Sequence, residues 1–379
     1  MEYIDKVPTP SYVMEEKLLK RNLQLLKFIS DSSNLKILMA LKGFALWKSF
    51  PLVRQYLIGT SASGLHEAKL GYEEFGGEIH TYSPAFNPDE VEEIAKISNV
   101  IVFNSFTQLD RYFNLVKSIN PNISIGIRLN PQYSSTKVEL YNPCAPYSRL
   151  GIVKSEFDKH IDQYIEKIDG FHIHGLCEQG VEDLEPLYQA FETQFGDYFK
   201  YLKWINLGGG HLITRKDYDI GRLIQFVKNF YSKYPEIDLY IEPSEAIGWE
   251  TGYLVAEVLD IVHNGMDIAI LNTSAETHMP DVLAMPYRPN VVGEVENGKY
   301  LYRFGGNSCL AGDIIGDYKF DNPLKVGDRV VFKDMIHYTM VKNTTFNGLP
   351  LPSIVIVKEN GEIEVIKKFG YLDYKNRLS

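Results

Sequence analysis

Between residues 35 and 242 short apolar runs alternate with amphipathic stretches, and this alternation limits the fold more than any other feature of the chain. The runs end near residues 42, 62, 82, 104, 129, 174, 207 and 242. They are short and apolar at successive positions, as in strands buried on both faces of a parallel sheet. The segments between them, such as 65–70, 106–116, 181–195 and 218–234, carry apolar residues at helical spacing. Eight strand–helix units over about two hundred residues predict an α/β chain, a (β/α)8 TIM-like barrel. In such a barrel the C-terminal ends of the strands carry the chemistry, so polar residues at those eight points become the candidates.

The texture changes after about residue 255. Strand-like segments fall at 255–261, 266–271, 300–304, 329–332, 353–357 and 363–369, and Asn-Gly hairpin turns at 297–298 and 360–361. Near the start, Pro8 and Pro10 interrupt any helix and SYVM (11–14) reads as a further strand. The expected layout is a barrel over 15–255 and a second, antiparallel β domain, barrel or sandwich, from 1–14 and 256–379. With 379 residues the chain is long enough for both.

The net charge of -10 disfavours nucleic acid or an anionic membrane as partner and suits a cationic substrate. The three cysteines, Cys144, Cys177 and Cys309, are too scattered for a disulfide framework or a zinc cluster. The opening residues lack a basic segment followed by an apolar run, and no stretch approaches the ~20 apolar residues of a membrane span. A cytoplasmic protein is expected.

Four strand ends stand out. Lys42 closes the apolar run 37–41; desolvation there would lower its pKa and free the amine for covalent attachment to an aldehyde, although on this segment alone a lysine that merely snorkels out of the strand end is the simpler reading. Gly208, Gly209 and Gly210 follow the run 205–207 and could turn backbone N–H groups towards a phosphate, although a tight turn also explains them. Glu242 closes the last run in Glu-Pro-Ser-Glu and could hold a pyridine nitrogen protonated, or merely cap the next helix. His172 and His174 flank Ile173 and share a face; one could stack on a cofactor ring, and His172 reads as a core histidine.

In that order, and with ALKGFA (40–45), HIHGLCEQG (172–180), WINLGGGHLIT (204–214), EPSEA (242–246), HMPDVLAMPYRP (278–289), GGNSCLAGDIIGDY (305–318) and DMIHYTMVKNTTFNG (334–348), the chain resembles the fold-type III pyridoxal-phosphate decarboxylases over essentially its whole length. These are relatives of diaminopimelate, ornithine and arginine decarboxylases, and the nearest branch is that of the carboxynorspermidine/carboxyspermidine decarboxylases. The resemblance implies pyridoxal 5'-phosphate as cofactor, Lys42 as its point of attachment and His174 as the residue stacked on its ring. It implies Gly208, Gly209, Gly210 and Tyr338 at the phosphate, and Glu242 at the ring nitrogen. Cys309 and Asp313 match a CxxxD motif that relatives contribute across a homodimer interface; the cysteine would reprotonate the product and Asp313 would touch substrate.

Relatives usually read Glu-Pro-Gly-Arg where this chain has Glu242-Pro243-Ser244-Glu245. Replacing that cation by Glu245 removes an anion contact and adds a place for an amine. Asp281, in HMPD, looks like a second amine-binding acid. A small cationic carboxypolyamine would fit the pair, as substrate of a polyamine-forming decarboxylase. The alternatives are a decarboxylase of another basic amino acid, such as diaminopimelate, ornithine or arginine, and a non-catalytic pyridoxal-phosphate binder. Arg128, Arg149 and Tyr287 are left unassigned.

Overall fold

The computed structural model describes residues 1–379. The chain divides into two compact units, Asn22–Ile247 and Met1–Arg21 together with Gly248–Ser379. These limits lie a few residues inside the 15–255 expected of the barrel, because a strand beginning at Gly252 already pairs within the second unit.

The first strand, β1 (Ser11–Glu15), belongs to that second unit. The barrel unit then lays down β2 (Lys36–Ala40), β3 (Gly59–Ala62), β4 (Glu78–Tyr82), β5 (Val100–Phe103) and β6 (Ser124–Asn130). A two-residue strand, β7 (Ile152–Val153), pairs on the end of β6 outside the ring. The series ends with β8 (Gly170–His172), β9 (Trp204–Asn206) and β10 (Asp238–Ile241). Leaving β7 aside, eight strands pair in parallel in chain order, and β10 returns to β2 to close the ring. The intervening helices fall where the periodicity puts them; Phe106–Ile119 is capped by the Ser105 hydroxyl and Ile220–Lys233 by the Asp219 carboxylate, each accepting an orphan helix N–H.

Side chains alternate across the barrel wall. Inside, the Trp204 indole crosses Gly126 and Gly170, where an added Cβ would come within 2.4 and 2.0 Å of the ring. Leu38, Val100, Val102 and Tyr240 complete that layer. Outside, Phe171 joins Phe157, Phe191, Phe195 and Phe199 beneath the helices, with edge-on pairs such as Phe157–Phe195 at 5.0 Å. Since Phe171 points out, His172 points in.

In the second unit a long strand, β11 (Gly252–His263), organises the sheet. Its first half lies between β1 and β15 (Arg329–Lys333), and its second half, past a register shift at Val258/Asp260, pairs with β12 (Asp267–Leu271). β13 (Tyr300–Gly305) and β14 (Ile314–Phe320) extend one edge, β16 (Ser353–Val357) and β17 (Ile363–Lys367) the other. The sheet is mostly antiparallel, but β1 runs parallel to β16 and β12 to β13. Local patterning cannot announce those pairings, because they join segments far apart in the chain. Val13, Val255, Val331 and Val355 form one packed cluster, and Phe304 stacks on Tyr318 at 4.6 Å. No helix of the chain is long and apolar enough to cross a membrane.

Candidate active site

The barrel unit gathers its polar side chains where the strands end. Backbone pairing runs one residue past β2: Ala40 N–H donates to Pro243 O at 3.0 Å and Leu41 N–H to Ser61 O at 3.0 Å. Lys42 therefore emerges between the ends of β10 and β3. Its side chain is reachable from solvent at the barrel mouth, yet enough protein surrounds the ammonium to desolvate it. That desolvation, helped by the nearby positive charge of Arg128, lowers the Lys42 pKa against the opposing pull of Cys177, Glu242 and Glu67.

Glu242 lies just past β10 with its carboxyl group largely buried. Oε1 accepts from Asn206 Nδ2 at 2.7 Å, and Oε2 lies 3.6 Å from His172 Nε2. Burial raises the Glu242 pKa, partly countered by His80, Asn206, Arg128 and Lys42. His172 is buried, burial holds it neutral, and neither ring nitrogen has a hydrogen-bond partner. Asn206, absent from the sequence expectations, joins two of them: its Oδ1 accepts the Gly208 N–H at 2.9 Å while its amide holds Glu242. An asparagine inward-facing at the end of a strand was the available signal.

His174 follows β8. Its Nδ1 accepts the Gly209 N–H at 3.1 Å, which puts the proton of the neutral ring on Nε2. Burial, then the charges of Lys42 and Arg128, keep that ring neutral. At Gly209 a Cβ would meet Glu242 O at 2.5 Å, and Gly208 and Gly210 have φ of +74° and +85°, so the turn requires glycine. Two of its three N–H groups are thus taken by Asn206 and His174; that of Gly210 has no protein acceptor. The Ser244 hydroxyl is likewise buried and without a partner. Glu245 is half-buried and close enough to Cys177 to add to the effect of burial, which pushes that thiol up to about 11.

Arg128 is buried with its guanidinium 4.7 Å from the centre of the Tyr82 ring, and its Nη2 reaches His174 O at 3.4 Å. Tyr82 donates to Asn104, which in turn donates to the backbone oxygen of Arg149. Arg149 itself is exposed. A cleft of about 330 Å³ opens between the loops after β3 and β4, with Glu67 and Glu90 in its wall. None of the expected site residues lines it.

The remaining candidates lie in the sheet unit. Cys309 is exposed, on a loop fastened by its N–H to Asn347 Oδ1 at 2.6 Å. Asp313 is buried and accepts from Ser308 Oγ at 2.6 Å and Ala275 N at 2.7 Å, with the Ser308 and Glu276 N–H groups further off. That carboxylate braces the cysteine loop within its own chain. Asp281 is ion-paired with Lys342. Tyr338 opens the short helix Tyr338–Val341 at right angles to His337, and Tyr287 is exposed.

A closed parallel barrel with a lysine after its first strand and a histidine, triple glycine and glutamate after its last three, together with a second unit built on a mostly antiparallel sheet, is the make-up of the fold-type III pyridoxal enzymes. The comparisons narrow this class. Residues 11–336 match the family model described as pyridoxal-dependent decarboxylase, C-terminal sheet domain. A carboxynorspermidine/carboxyspermidine decarboxylase of Campylobacter jejuni is 45% identical, over 99% of this chain and 100% of that one. A carboxyaminopropylagmatine decarboxylase of Synechocystis is 44% identical, over 99% and 96%. Among solved structures, the carboxynorspermidine decarboxylase of Campylobacter jejuni complexed with norspermidine superposes with a TM-score of 0.91 at 43% identity, covering 98% of this chain and 100% of that one. The diaminopimelate decarboxylase of Helicobacter pylori reaches 0.85 at 17% identity over 99% and 98%, a likeness of fold alone. The chain belongs to the pyridoxal-dependent decarboxylase family.

Proposed function

We propose that this enzyme decarboxylates carboxynorspermidine, carboxyspermidine or both, giving norspermidine or spermidine. The observation that carries the reading is the end-to-end likeness to the Campylobacter enzyme. The acid Glu245 at the barrel mouth supports it, since a carboxypolyamine brings ammonium groups that a carboxylate can hold. Asp281 would serve a second ammonium only by sharing or exchanging its present partner, Lys342.

The residues at the barrel mouth fit pyridoxal phosphate. The amine of Lys42 is biased towards its neutral form, as attachment to an aldehyde requires. Gly210 N–H and the Ser244 hydroxyl are open donors for phosphate oxygens. Glu242, anchored by Asn206, would hold the proton of the ring nitrogen, and the neutral imidazole of His174 would lie against the ring face. The bound cofactor supplies an electron sink for the pair left behind when carbon dioxide departs. The thiol of Cys309 would then deliver a proton from Sγ to Cα, so that C–H replaces C–COO⁻. Because Cys309 is exposed, as are its neighbours Leu310 and Ile314, we place that thiol in the site of a second subunit, with two composite sites per homodimer.

A second reading rests on the Synechocystis relative, nearly as similar as the Campylobacter one: the substrate would be carboxyaminopropylagmatine, with a guanidinium in place of an ammonium. Carbon dioxide release by the cofactor-loaded protein decides. The panel contains carboxynorspermidine, carboxyspermidine, carboxyaminopropylagmatine, meso-diaminopimelate, ornithine and arginine. Turnover of the first two is expected; turnover of the third alone establishes the second reading, and turnover of diaminopimelate or ornithine alone refutes both.

A further inference from the structure

One side chain that this chemistry does not use ties three loops of the barrel mouth together. Gln179 Oε1 accepts from the Cys177 N–H at 3.2 Å and from Thr136 Oγ1 at 3.1 Å, and its Nε2 donates to Ser135 Oγ at 2.7 Å. Its backbone N–H donates to Gly210 O at 2.9 Å, and its carbonyl accepts the Leu212 N–H at 3.2 Å. The loops so joined are the stretch after β6, the stretch after β8 that carries His174 and Cys177, and the glycine turn after β9. Ser134 Oγ adds a further fastening to Gly175 O at 2.6 Å.

This junction has little slack on the side of the turn. A Cβ at Gly210 would stand 2.2 Å from Leu176 O and 2.9 Å from Cys177 N, so the backbone of 176–177 lies directly against that glycine. Any drift of 176–179 must therefore move Gly210 or collide with it. Gly210 also carries the one N–H of the three glycines that is open to an anion. On the other side, Ser135 and Thr136 are half-buried residues in a connection of some twenty residues between β6 and β7, a length at which loops owe their order to specific contacts.

We propose that Gln179 is a positioning residue for the cofactor's phosphate: it couples the segment 134–136 to the glycine turn, so that the grip of that segment on Gln179 sets how firmly the phosphate is held. The inference rests on the cofactor reading given above. It separates from a general structural role because it concerns the phosphate and not the ring.

The test titrates cofactor-free protein with pyridoxal phosphate and, in parallel, with pyridoxal, which shares the ring and aldehyde but lacks the phosphate; attachment at Lys42 is followed by absorbance. Two variants are compared with the unmodified chain, Gln179→Ala and the double change Ser135→Ala/Thr136→Val. With hydrogen bonds each contributing ~0.5–1.5 kcal/mol, both variants should bind pyridoxal phosphate roughly tenfold or more weakly. Their affinity for pyridoxal should stay within about twofold of the unmodified protein. Equal weakening for both ligands would reduce Gln179 to a structural residue, and unchanged affinity in the double variant would remove the coupling even if Gln179→Ala weakens binding. Should Gln179→Ala fail to fold, the double variant decides alone, since it leaves Gln179 and the turn intact. Failure of the unmodified protein to take up pyridoxal phosphate would sink the cofactor reading together with this one.

Discussion

Glu242 in the barrel unit and Asp313 in the sheet unit are both carboxylates withdrawn from water, and their surroundings differ. Glu242 has one firm donor, Asn206, a buried neutral histidine 3.6 Å away, and a raised pKa. Asp313 accepts from four donors contributed by Ser308, Ala275 and Glu276. The first group is left able to gain a partner, the second has its capacity filled. The same contrast separates Lys42, with its pKa depressed at the barrel mouth, from Cys309, exposed on a loop that Asp313 and Asn347 stiffen. The barrel shifts its titratable groups by desolvation; the sheet unit fastens an exposed loop by hydrogen bonds.

Substitution of Lys42 and of Cys309 should give the widest separation. Lys42→Ala should remove cofactor attachment and lower the rate by roughly 10³-fold or more, the scale on which loss of a covalent nucleophile reads. Cys309→Ala should slow turnover by about 10²-fold, typical of a lost proton donor, while the absorbance of bound cofactor stays as in the unmodified enzyme. A cysteine variant without that absorbance would erase the division between the units.

Acid should act on both units through their buried histidines. His211 in the barrel and His278 in the sheet are each held neutral by burial, with pKa values lowered to about 4. Below the ordinary value near 6.5 the unfolded chain binds protons that the folded chain refuses, so stability falls as pH drops from 6.5 towards 4. The loss is on the order of 3 kcal/mol for each group across that window. His172 and His174 shift in the same direction and add to the barrel's share. Denaturant unfolding at a series of pH values, read by separate probes in the two units, checks this; a flat profile from 6.5 to 4 contradicts it.

Glu245→Gln should have the smallest effect, a KM for carboxypolyamine about tenfold higher with cofactor affinity unchanged, as for one charge-assisted hydrogen bond at a half-exposed site. An equal rise for ornithine would strip Glu245 of any part in choosing the substrate.

The barrel could be read from the sequence because each of its strands makes a local statement: an apolar run, a polar end, a helix after it. Lys42, His174, the glycines and Glu242 sit at those ends, which is why their places were legible. What escaped notice depends on distant pairing. β14 lies in a segment that Gly312, Asp313 and Gly316 make look like a loop, and it exists because β13 supplies a partner. Asn206 and Gln179 bond to residues in the loops that follow other strands, Glu242 after β10 and Ser135 and Thr136 after β6, so spacing along the chain did not mark them. Asp313 was visible as a residue, but only its four donors, two of them from 275–276, reveal its task.

One feature of the sheet bears on how the protein is made. β1, which precedes the barrel in the chain, lies between β11 and β16 in the finished sheet. Its partner β16 is translated about 340 residues later, on the order of tens of seconds at typical elongation rates. The whole barrel, Asn22–Ile247, emerges in that interval and can fold on the ribosome while the strand made before it waits unpaired. A chain released early would carry a finished barrel and an open sheet edge, a substrate for chaperones or for aggregation. Moving β1 by circular permutation to a position after β17 would let the sheet assemble in one continuous burst of synthesis.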